Sequence, residues 1–396
     1  MPAHPGPSIL LAHPGADLYG SDRVLLESVA GLVAAGWRVV VTVPGPGPLL
    51  PELRARGATV ELCPTPVLRK SVLRPLGLAR FLVELARSVG PGCRLLRRFG
   101  TDGVYVSTVT IPLWLLLGRL FGRRVTCHVH EAEGSAPALL RRLLAWPLLL
   151  ADRVVVNSTF SLDVLVAALP RLLHRSTVVY NGVVGPPQVV PARLRADPPV
   201  RLLFVGRLSP RKGPQVAVAA ARQLRERGVP VQLELLGAVF AGYEWFEAEL
   251  RAAVAAGGLA DSVRFLGFDP DVWPHVQRAD IVLVPSVVDE PFGNTAVEAV
   301  LAARPLLVSA TSGLLEAAAG YATAQAVPPD RPDLLADAVV DVLAGWADYQ
   351  ELALGDASLA RERHSVLRYQ REIVDVLGAG RHARDVLATG DAESAL

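Results

Sequence analysis

The chain is poor in the residues that mark a secreted, metal-binding or membrane-spanning protein. It has three cysteines, Cys63, Cys93 and Cys127, and none lies in a Cys-x-x-Cys spacing, so neither a disulfide framework nor a zinc site is predicted. No stretch of 18 residues is free of charge, which argues against a membrane-spanning helix. The first residues lack a basic segment and a small-residue cleavage pattern, so no signal peptide is expected.

The charge is distributed unevenly. Residues 1–180 contain 20 basic and 11 acidic residues, whereas the remainder contains 20 and 27. A basic N-terminal half is typical of a protein that meets an anionic partner, such as a membrane surface, a phosphorylated lipid or a nucleic acid. Nearly all the basic residues are arginine, so codon usage in a GC-rich genome is an alternative explanation.

Short β-branched runs alternate with helical patterns along the chain. In the first half the runs are 8–13, 37–44, 58–63, 103–108, 124–130, 153–158 and 176–182. After a proline-rich segment they resume at 201–207, 231–237, 263–268, 281–286 and 305–310. This alternation predicts an α/β fold with two Rossmann-like, doubly wound parallel sheets. Ligands of such sheets bind beyond the carboxyl ends of the strands, so a cleft faced by both domains is the expected site.

The composition also predicts where the domains begin and end. We expect a first domain over 1–184, a linker over 185–200 and a second domain over 201–364. An amphipathic helix is predicted over 365–377 and is expected to return toward the first domain. The polar, Ala/Gly-rich tail over 378–396 is expected to be flexible.

Two cations follow the first strand of the second domain. In "VGRLSPRKG", Arg207 comes just after the strand and Lys212 just before a helix, while Gly206 and Gly213 permit tight turns. Cations beside a helix N-terminus favour a diphosphate; the alternative is a solvated basic loop. The Gly-x-Gly-x-x-Gly fingerprint is absent here and after the first strand of the chain, which argues against a nicotinamide-dependent enzyme.

Two carboxylates stand eight positions apart in "EPFGNTAVE". Glu290 follows a buried strand, and Gly293 precedes the start of a predicted helix. Free amides at such a helix start favour an anionic or hydroxyl-rich ligand. Glu298 has an alternative role, because Thr295-x-x-Glu298 fits a capping box.

These motifs resemble family 4 of the retaining glycosyltransferases, which have the GT-B fold. "VGRLSPRKG" and "EPFGNTAVE" carry the resemblance, and "ADRVVVNSTFS", "VVYNGV" and "LGFDPDVWPHVQRADIVLVPS" extend it to nearly the whole chain. "DLYGSD" is similar to a branch of bacterial surface-polysaccharide enzymes.

The resemblance implies roles for the second domain. Arg207 and Lys212 would hold the donor diphosphate, Glu290 the hydroxyls of the donor sugar and Glu298 the ribose. The implied nucleotide-sugar-binding residues are Gly20, Gly206, Arg207, Lys212, Glu290, Phe292, Gly293, Asn294, Thr295 and Glu298, and the implied catalytic residues are His130, Arg207, Lys212 and Glu290.

The resemblance also implies roles for the first domain, which would bind the acceptor. His130, at the end of "VTCHVHE", would face the donor sugar, with His128 as the alternative. A glycine-rich loop would approach the phosphates at Gly20 and border the acceptor with Tyr19, Ser21, Asp22 and Arg23. Many members have Gly-Gly-x-Glu there, whereas this chain has Gly-Ser-Asp-Arg, and Ser21 also fits a helix N-cap.

The expected activity is retaining, metal-independent transfer of a sugar from a UDP- or GDP-sugar to an acceptor hydroxyl, without a cofactor. The expected partners are a lipid-linked acceptor saccharide and an anionic membrane, with no nucleic acid, at the cytoplasmic face of the cell membrane. A GT-B sugar-nucleotide epimerase, an enzyme that glycosylates a soluble natural product and a non-catalytic scaffold are the alternatives.

Overall fold

The structure, a computed structural model, describes residues 6–69, 72, 74–99, 101–132, 134–240 and 242–378. These residues form two compact units. The first contains the described residues up to Gly182 and those from Val366 onward, and the second runs from Val183 to Ser365. The chain therefore passes between the units twice. The tail expected over 378–396 lies outside the described residues, except for Gly378.

The first unit is built on a seven-stranded sheet in which all pairings are parallel. Its strands are β1 (Ser8–Ala12), β2 (Arg38–Val43), β3 (Thr59–Leu62), β4 (Gly103–Val106), β5 (Arg124–Val129), β6 (Arg153–Val156) and β7 (Ser176–Val178). They lie in the order β3-β2-β1-β4-β5-β6-β7. The strand order therefore reverses between β1 and β4.

Helices cover both faces of this sheet. They are α1 (Gly20–Ala34), α2 (Leu49–Ala55), α3 (Pro75–Phe99), α4 (Pro112–Leu120), α5 (Ala138–Ala145) and α6 (Thr159–Ala168). Ile9 and Leu11 pack into one core with α1 and α2, while Leu10 and Ala12 pack into the other with α4. Burial on both faces explains why the strand sequences read as continuous apolar runs.

The second unit repeats this plan with a six-stranded parallel sheet. Its strands are β8 (Val200–Val205), β9 (Val231–Leu236), β10 (Val263–Gly267), β11 (Ile281–Val284), β12 (Leu306–Ser309) and β13 (Ala324–Val327). Its helices are α7 (Pro214–Glu226), α8 (Glu244–Ala256), α9 (Trp273–Arg278), α10 (Asn294–Leu301), α11 (Ser312–Ala318), α12 (Pro332–Ala344) and α13 (Trp346–Arg363). The order β10-β9-β8-β11-β12-β13 reverses between β8 and β11.

The segment expected to link the domains, 185–200, belongs to the second unit; it has no helix or strand until Val200, where β8 begins. Arg193 makes a bidentate ion pair with buried Asp280 at 2.8 and 2.5 Å. The Trp346 indole donates a hydrogen bond to the Arg193 carbonyl at 2.9 Å, and Ala192 lies in the core. These contacts fasten most of the segment to one unit.

The last helix, α14 (Val366–Gly378), belongs to the first unit. It packs along α1, where the Tyr369 hydroxyl lies 2.5 Å from the Ser28 hydroxyl and both side chains are buried. The helix approaches so closely that a Cβ on Gly31 would lie 2.8 Å from the Cβ of Gln370. Small residues on α1 therefore make room for α14.

The α/β fold with two parallel sheets is confirmed, and all twelve predicted runs contain a strand. A further edge strand, β13, was not predicted, because "AQAV" is short and has a single β-branched residue. Among the residues that the structure describes, no helix is both long enough and apolar enough to cross a bilayer.

Candidate functional site

The loop after β8 is shaped by two glycines in positive-φ conformations. Gly206 ends the strand at φ +154°, and Gly213 adopts a left-handed conformation at φ +74°. Between them, a short 3-10 turn covers Pro210–Lys212, and α7 begins at Pro214. A Cβ on Gly213 would overlap the carbonyl oxygen of Pro285 beyond β11. Only glycine therefore lets this loop lie against the end of the neighbouring strand.

Lys212 and Glu290 meet where the strand order of the second sheet reverses. The Lys212 ammonium lies 2.8 Å from Glu290 Oε2, and the Ser286 hydroxyl donates to Glu290 Oε1 at 3.0 Å. Glu290 is only 7% exposed, whereas the Lys212 side chain is 36% exposed. A nearly buried carboxylate thus holds a cation that remains open to solvent.

Arg207 lies on the same loop as Lys212 but is held by a different neighbour. Its guanidinium lies over the Phe240 ring, 3.8 Å from the centroid. Phe240 follows β9, which is adjacent to β8 in the sheet. The aromatic face thus fixes the position of the guanidinium at the carboxyl end of β8.

The loop from Asp289 to Gly293 is tied to the start of α11. The Ser312 hydroxyl donates to the Asp289 carboxylate at 3.0 Å, and the Gly313 amide donates to the Glu290 carbonyl at 3.1 Å. Phe292 is 2% exposed, and its ring meets His364 edge-on at 5.5 Å. The Phe292 side chain is therefore part of the core, and only its backbone is left for the nucleotide-sugar contact expected of this residue.

The start of α10 bears on the capping box considered as the alternative role of Glu298. The helix begins at Asn294 with Gly293 as N-cap, at φ +133° and without a side-chain cap. Thr295 is already the second helical residue, so the Thr295–Glu298 capping box is wrong. Glu298 lies one turn into the helix and is half-buried.

A buried chain of three polar side chains lies where the strand order of the first sheet reverses. His13 follows β1 and Ser107 follows β4, and the ring Nδ1 of His13 lies 2.5 Å from the Ser107 hydroxyl. The ring Nε2 of His13 lies 2.6 Å from the Asp22 carboxylate of α1. All three residues are at least 94% buried. Sequence analysis missed His13 and Ser107, although both stand directly after predicted strand cores.

Asp22 is used within the protein rather than presented to solvent. One carboxylate oxygen meets His13, and the other accepts a hydrogen bond from the Tyr19 amide at 2.7 Å. Because α1 begins at Gly20 with Tyr19 as N-cap, the alternative N-cap role for Ser21 is wrong. Among the acceptor-side residues expected here, Ser21 is exposed and Tyr19 and Arg23 are half-buried.

His128 and His130 lie in different surroundings at the end of β5. His128 is fully buried, and its ring Nδ1 lies 2.5 Å from the Tyr105 hydroxyl. His130 lies just past the strand and is half-buried, with its ring centroid 4.0 Å from that of His128. His130 is therefore the better placed of the two to contact a ligand.

Burial lowers the pKa of both imidazoles. It moves the pKa of His128 well below its usual value and the pKa of His130 to about 3, with nearby His13 as a second cause for His130. The adjacent Glu131 carboxylate accepts hydrogen bonds from Thr108 and from the His130 amide, and burial raises its pKa. Both histidines are thus neutral near pH 7.

These two histidines predict a loss of stability on acidification. An unfolded histidine titrates near 6.5, so below that pH the unfolded chain binds protons that the folded chain excludes. We expect stability to fall by up to ~1.4 kcal/mol per pH unit per histidine between about pH 6 and 4. The free energy of unfolding of the His128→Gln/His130→Gln variant, measured with urea, should depend less steeply on pH than that of the wild type. Exposed His174 provides the control, because His174→Gln should keep the wild-type slope; equal slopes in all three proteins would contradict the prediction.

Among the residues that the structure describes, no group of three or more His, Cys, Asp or Glu side chains is arranged to hold a metal ion. The second-unit site instead offers a lysine, an arginine and the N-terminus of α7 on one loop. Such a set suits an anionic ligand.

Two parallel, doubly wound units with polar side chains at the points where strand order reverses define the GT-B class of fold. The family model for glycosyl transferases group 1 matches residues 190–353, and the model for glycosyltransferase family 4 matches residues 19–184. Together the two models span most of the chain. Both models describe glycosyltransferases: the first unit is similar to glycosyltransferase family 4, and the second unit is similar to the glycosyl transferases group 1.

Individual relatives show the same relation. The 2-deoxystreptamine glucosyltransferase of Streptomyces kanamyceticus is 29% identical over 82% of this chain and 89% of its own. The amylovoran biosynthesis glycosyltransferase AmsK of Erwinia amylovora is 29% identical over 187 residues. The matched region covers 45% of this chain and 44% of AmsK. The crystal structure of HepE from Anabaena with UDP-glucose superposes with a TM-score of 0.80 at 21% identity, covering 94% of this chain and 99% of HepE. At that identity, the superposition supports the fold alone.

Proposed function

We propose that this protein transfers a sugar, with retention of anomeric configuration, from a UDP- or GDP-sugar to an acceptor hydroxyl in cell-surface polysaccharide or glycolipid biosynthesis. The matches to two glycosyltransferase family models support the reaction class. The Lys212–Glu290 pair, in the loops that flank the strand-order reversal of the second sheet, is the observation that carries the proposal.

The second unit would bind the donor through its diphosphate and its sugar. Lys212 has three N–H donors, and its contact with Glu290 leaves the others for phosphate oxygens. Arg207 would add donors from the same loop, and the positive end of the α7 dipole would favour the phosphates. Glu290 uses one site on each oxygen for Lys212 and Ser286, which leaves further acceptor sites for sugar hydroxyls. Glu298 would bind the ribose.

The chemistry we propose is a displacement on the face from which the diphosphate leaves. The bond between the anomeric carbon and the phosphate oxygen breaks, and the acceptor oxygen forms the new bond on the same face. The acceptor proton passes to the departing phosphate oxygen. Lys212 and Arg207 would stabilise the charge that develops on the leaving group, which is where catalysis of this kind gains most.

The first unit would bind the acceptor, and His130 would contact the transferred sugar as a neutral imidazole. AmsK, named for amylovoran biosynthesis, supports a polysaccharide acceptor. The 2-deoxystreptamine glucosyltransferase, which matches more of the chain, favours a soluble acceptor as the second candidate.

Donor and activity can be tested with the purified chain. We expect UDP- or GDP-sugars to stabilise the protein by about 2.7 kcal/mol at one hundred times their dissociation constant. Release of the nucleoside diphosphate should then require an acceptor, and the product should keep the donor's anomeric configuration. Conversion of the sugar nucleotide without an acceptor would instead identify an epimerase, and no response to any sugar nucleotide would refute the proposal.

Metal independence gives a separate prediction. If Lys212 and Arg207 neutralise the leaving diphosphate, EDTA in roughly a thousand-fold excess over protein should change the transfer rate by less than about two-fold. Initial rates with and without added Mg²⁺ provide the measurement. A loss of about ten-fold or more that Mg²⁺ restores would contradict this role for the two cations.

We also propose that the first unit docks on an anionic membrane. Helix α5 exposes Leu139 and Leu143 at 69% and 59%, and the following Trp146 is 67% exposed. Arg141 and Arg142 lie on the same helix. An apolar face flanked by arginines is typical of helices that lie in the lipid interface.

Vesicle flotation tests this docking. Leu139→Ser/Leu143→Ser should lower binding to phosphatidylglycerol vesicles by about ten-fold, because two exposed leucines lose their place in the lipid. The matched control is Leu352→Ser/Leu354→Ser on α13, where both leucines are also exposed at 47% and 46%. Equal binding by both variants would rule out this face.

A further inference from the structure

The amino-terminal edge of the first sheet carries a row of arginines, opposite the edge that holds His13 and His130. Arg124 is the first residue of β5, Arg153 is the first of β6, and Arg175 directly precedes β7. The three strands are neighbours in the sheet. Because parallel strands begin at the same edge, these residues from three sequence segments come together.

The row lines a groove of about 600 Å³. Arg119, near the end of α4, and Arg123, in the turn that follows, complete its basic wall. Five arginines line the groove, and Asp152 is the single acidic residue among its lining residues. The groove is thus strongly cationic.

Part of this charge is neutralised within the protein. Arg119 pairs with Asp152 at 2.7 Å, and Arg175 donates to the carbonyls of Leu149 and Ala151 at 3.2 Å. Those carbonyls lie at the end of a 3-10 helix, where a cation is favourable. Two of the arginines therefore have an internal structural role.

Arg123 and Arg153 differ from Arg119 and Arg175 in having no side-chain partner among the described residues. Neither side chain makes a hydrogen bond or an ion pair with any residue that the structure describes. The Nε of Arg123 is buried without a partner. Both side chains are half-buried and line the groove. A half-buried guanidinium without a partner forgoes the hydrogen bonds that its five N–H groups could make.

The second unit provides an internal comparison. A groove of about 250 Å³ at the amino-terminal edge of its sheet is also lined by three arginines. Here Arg278 contacts the His275 ring nitrogen at 3.0 Å, and Arg264 faces the Gln232 side-chain amide, whose oxygen accepts from it at 2.9 Å once the amide is turned to satisfy both of its ends. Arg201 reaches the carbonyl of Arg278. Each arginine there has a partner within the protein, so unpartnered arginines are not a general feature of these sheet edges.

We propose that the groove of the first unit binds a phosphate group of a ligand other than the donor nucleotide. The guanidinium fork matches two phosphate oxygens at once, which makes arginine the side chain of choice for this anion. An adjoining cavity of about 280 Å³ shares Arg123 and Arg124 with the groove and extends it toward Trp37, so the ligand has room beyond its phosphate. The phosphate is either the phosphodiester of a lipid headgroup or a free phosphate or diphosphate.

Calorimetric titration of the full chain tests this site. The titrations use the Arg207→Ala/Lys212→Ala background, so that the proposed donor loop no longer competes. One titrant is inorganic pyrophosphate, and the other is glycerophosphoglycerol, a lipid headgroup without acyl chains. We expect at least one of them to bind, and Arg123→Ala/Arg153→Ala to weaken that binding by about ten-fold or more. Binding of glycerophosphoglycerol alone would assign a lipid source, and binding of pyrophosphate alone a soluble one.

The control is Arg264→Ala/Arg278→Ala, which removes two arginines from the groove of the second unit and should leave the affinity unchanged. Arg153→Gln alone covers the case in which the Arg123 variant does not fold, and it too should weaken binding. The site is refuted if neither titrant binds in the background, or if removing Arg123 and Arg153 has no more effect than the control. Because the donor loop is disabled throughout, neither result depends on the proposed transferase activity.

Discussion

Replacing Lys212 by alanine is expected to lower kcat by about 10²- to 10³-fold, the usual effect of removing one donor that stabilises transition-state charge. The ammonium is held at 2.8 Å by Glu290, which is 7% exposed. The variant also leaves that carboxylate without its cation, so we expect a loss of ~1–3 kcal/mol in unfolding free energy. Steady-state kinetics at saturating donor and urea unfolding measure the two effects separately.

The neighbouring Arg211 provides the matched control. It lies in the same 3-10 turn, but its guanidinium donates to the Asp289 carbonyl at 3.3 Å rather than to Glu290. Arg211→Ala should keep kcat within about five-fold of wild type, since a loop-surface cation contributes little. A folded Lys212→Ala enzyme with near-normal turnover would remove Lys212 from the leaving-group role.

Replacing Gly213 by alanine is expected to destabilise the second unit by ~3 kcal/mol or more and to abolish donor binding. The residue adopts φ +74°, which an L side chain disfavours, and its Cβ would overlap the Pro285 carbonyl oxygen. Relief of this overlap would move the loop that carries Lys212 away from the end of β11. Thermal unfolding and titration with the donor would report the two losses.

Gly228 separates the effect of the positive φ angle from the effect of the steric overlap. It adopts φ +77°, but no atom lies within 4 Å of the position that an alanine Cβ would take there. Gly228→Ala should therefore lower the free energy of unfolding only by the cost of an L side chain at positive φ, ~1–2 kcal/mol, and should leave donor affinity unchanged. If the two alanine variants lose equal stability, close packing against Pro285 is not what demands glycine at 213.

Local sequence features predicted much of the architecture. The strand cores of both sheets follow from β-branched runs, and the start of α7 follows from Gly213 and Pro214, because turn chemistry and strand patterning act over a few residues. The same reasoning failed at the N-caps of α1 and α10. Thr295-x-x-Glu298 matches a capping box, yet Gly293 takes the N-cap position, since the loop is fixed by Ser312 and Gly313 of α11.

Other features of the site were beyond sequence analysis. The backbone of Phe292 is expected to contact the donor, but the motif does not show that its ring packs on His364, which lies far along the chain at the end of α13. Asp22 reads as an acceptor-side carboxylate, but β1 places the His13 ring against it. In both cases the contacting histidine comes from another part of the fold, and no local sequence pattern shows that the two side chains meet.

The sequence by itself determined the two parallel sheets, the cationic loop after β8 and the carboxylate loop after β11, because each depends on residues close together in the chain. The tertiary structure decided that Lys212 pairs with Glu290 across 78 positions and that Asp22, His13 and Ser107 form one buried chain. It also decided that arginines at the starts of three neighbouring strands share a groove. Parallel strands joined by helical crossovers bring distant residues to one edge of a sheet, so these contacts depend on strand order, which appears only in the folded chain.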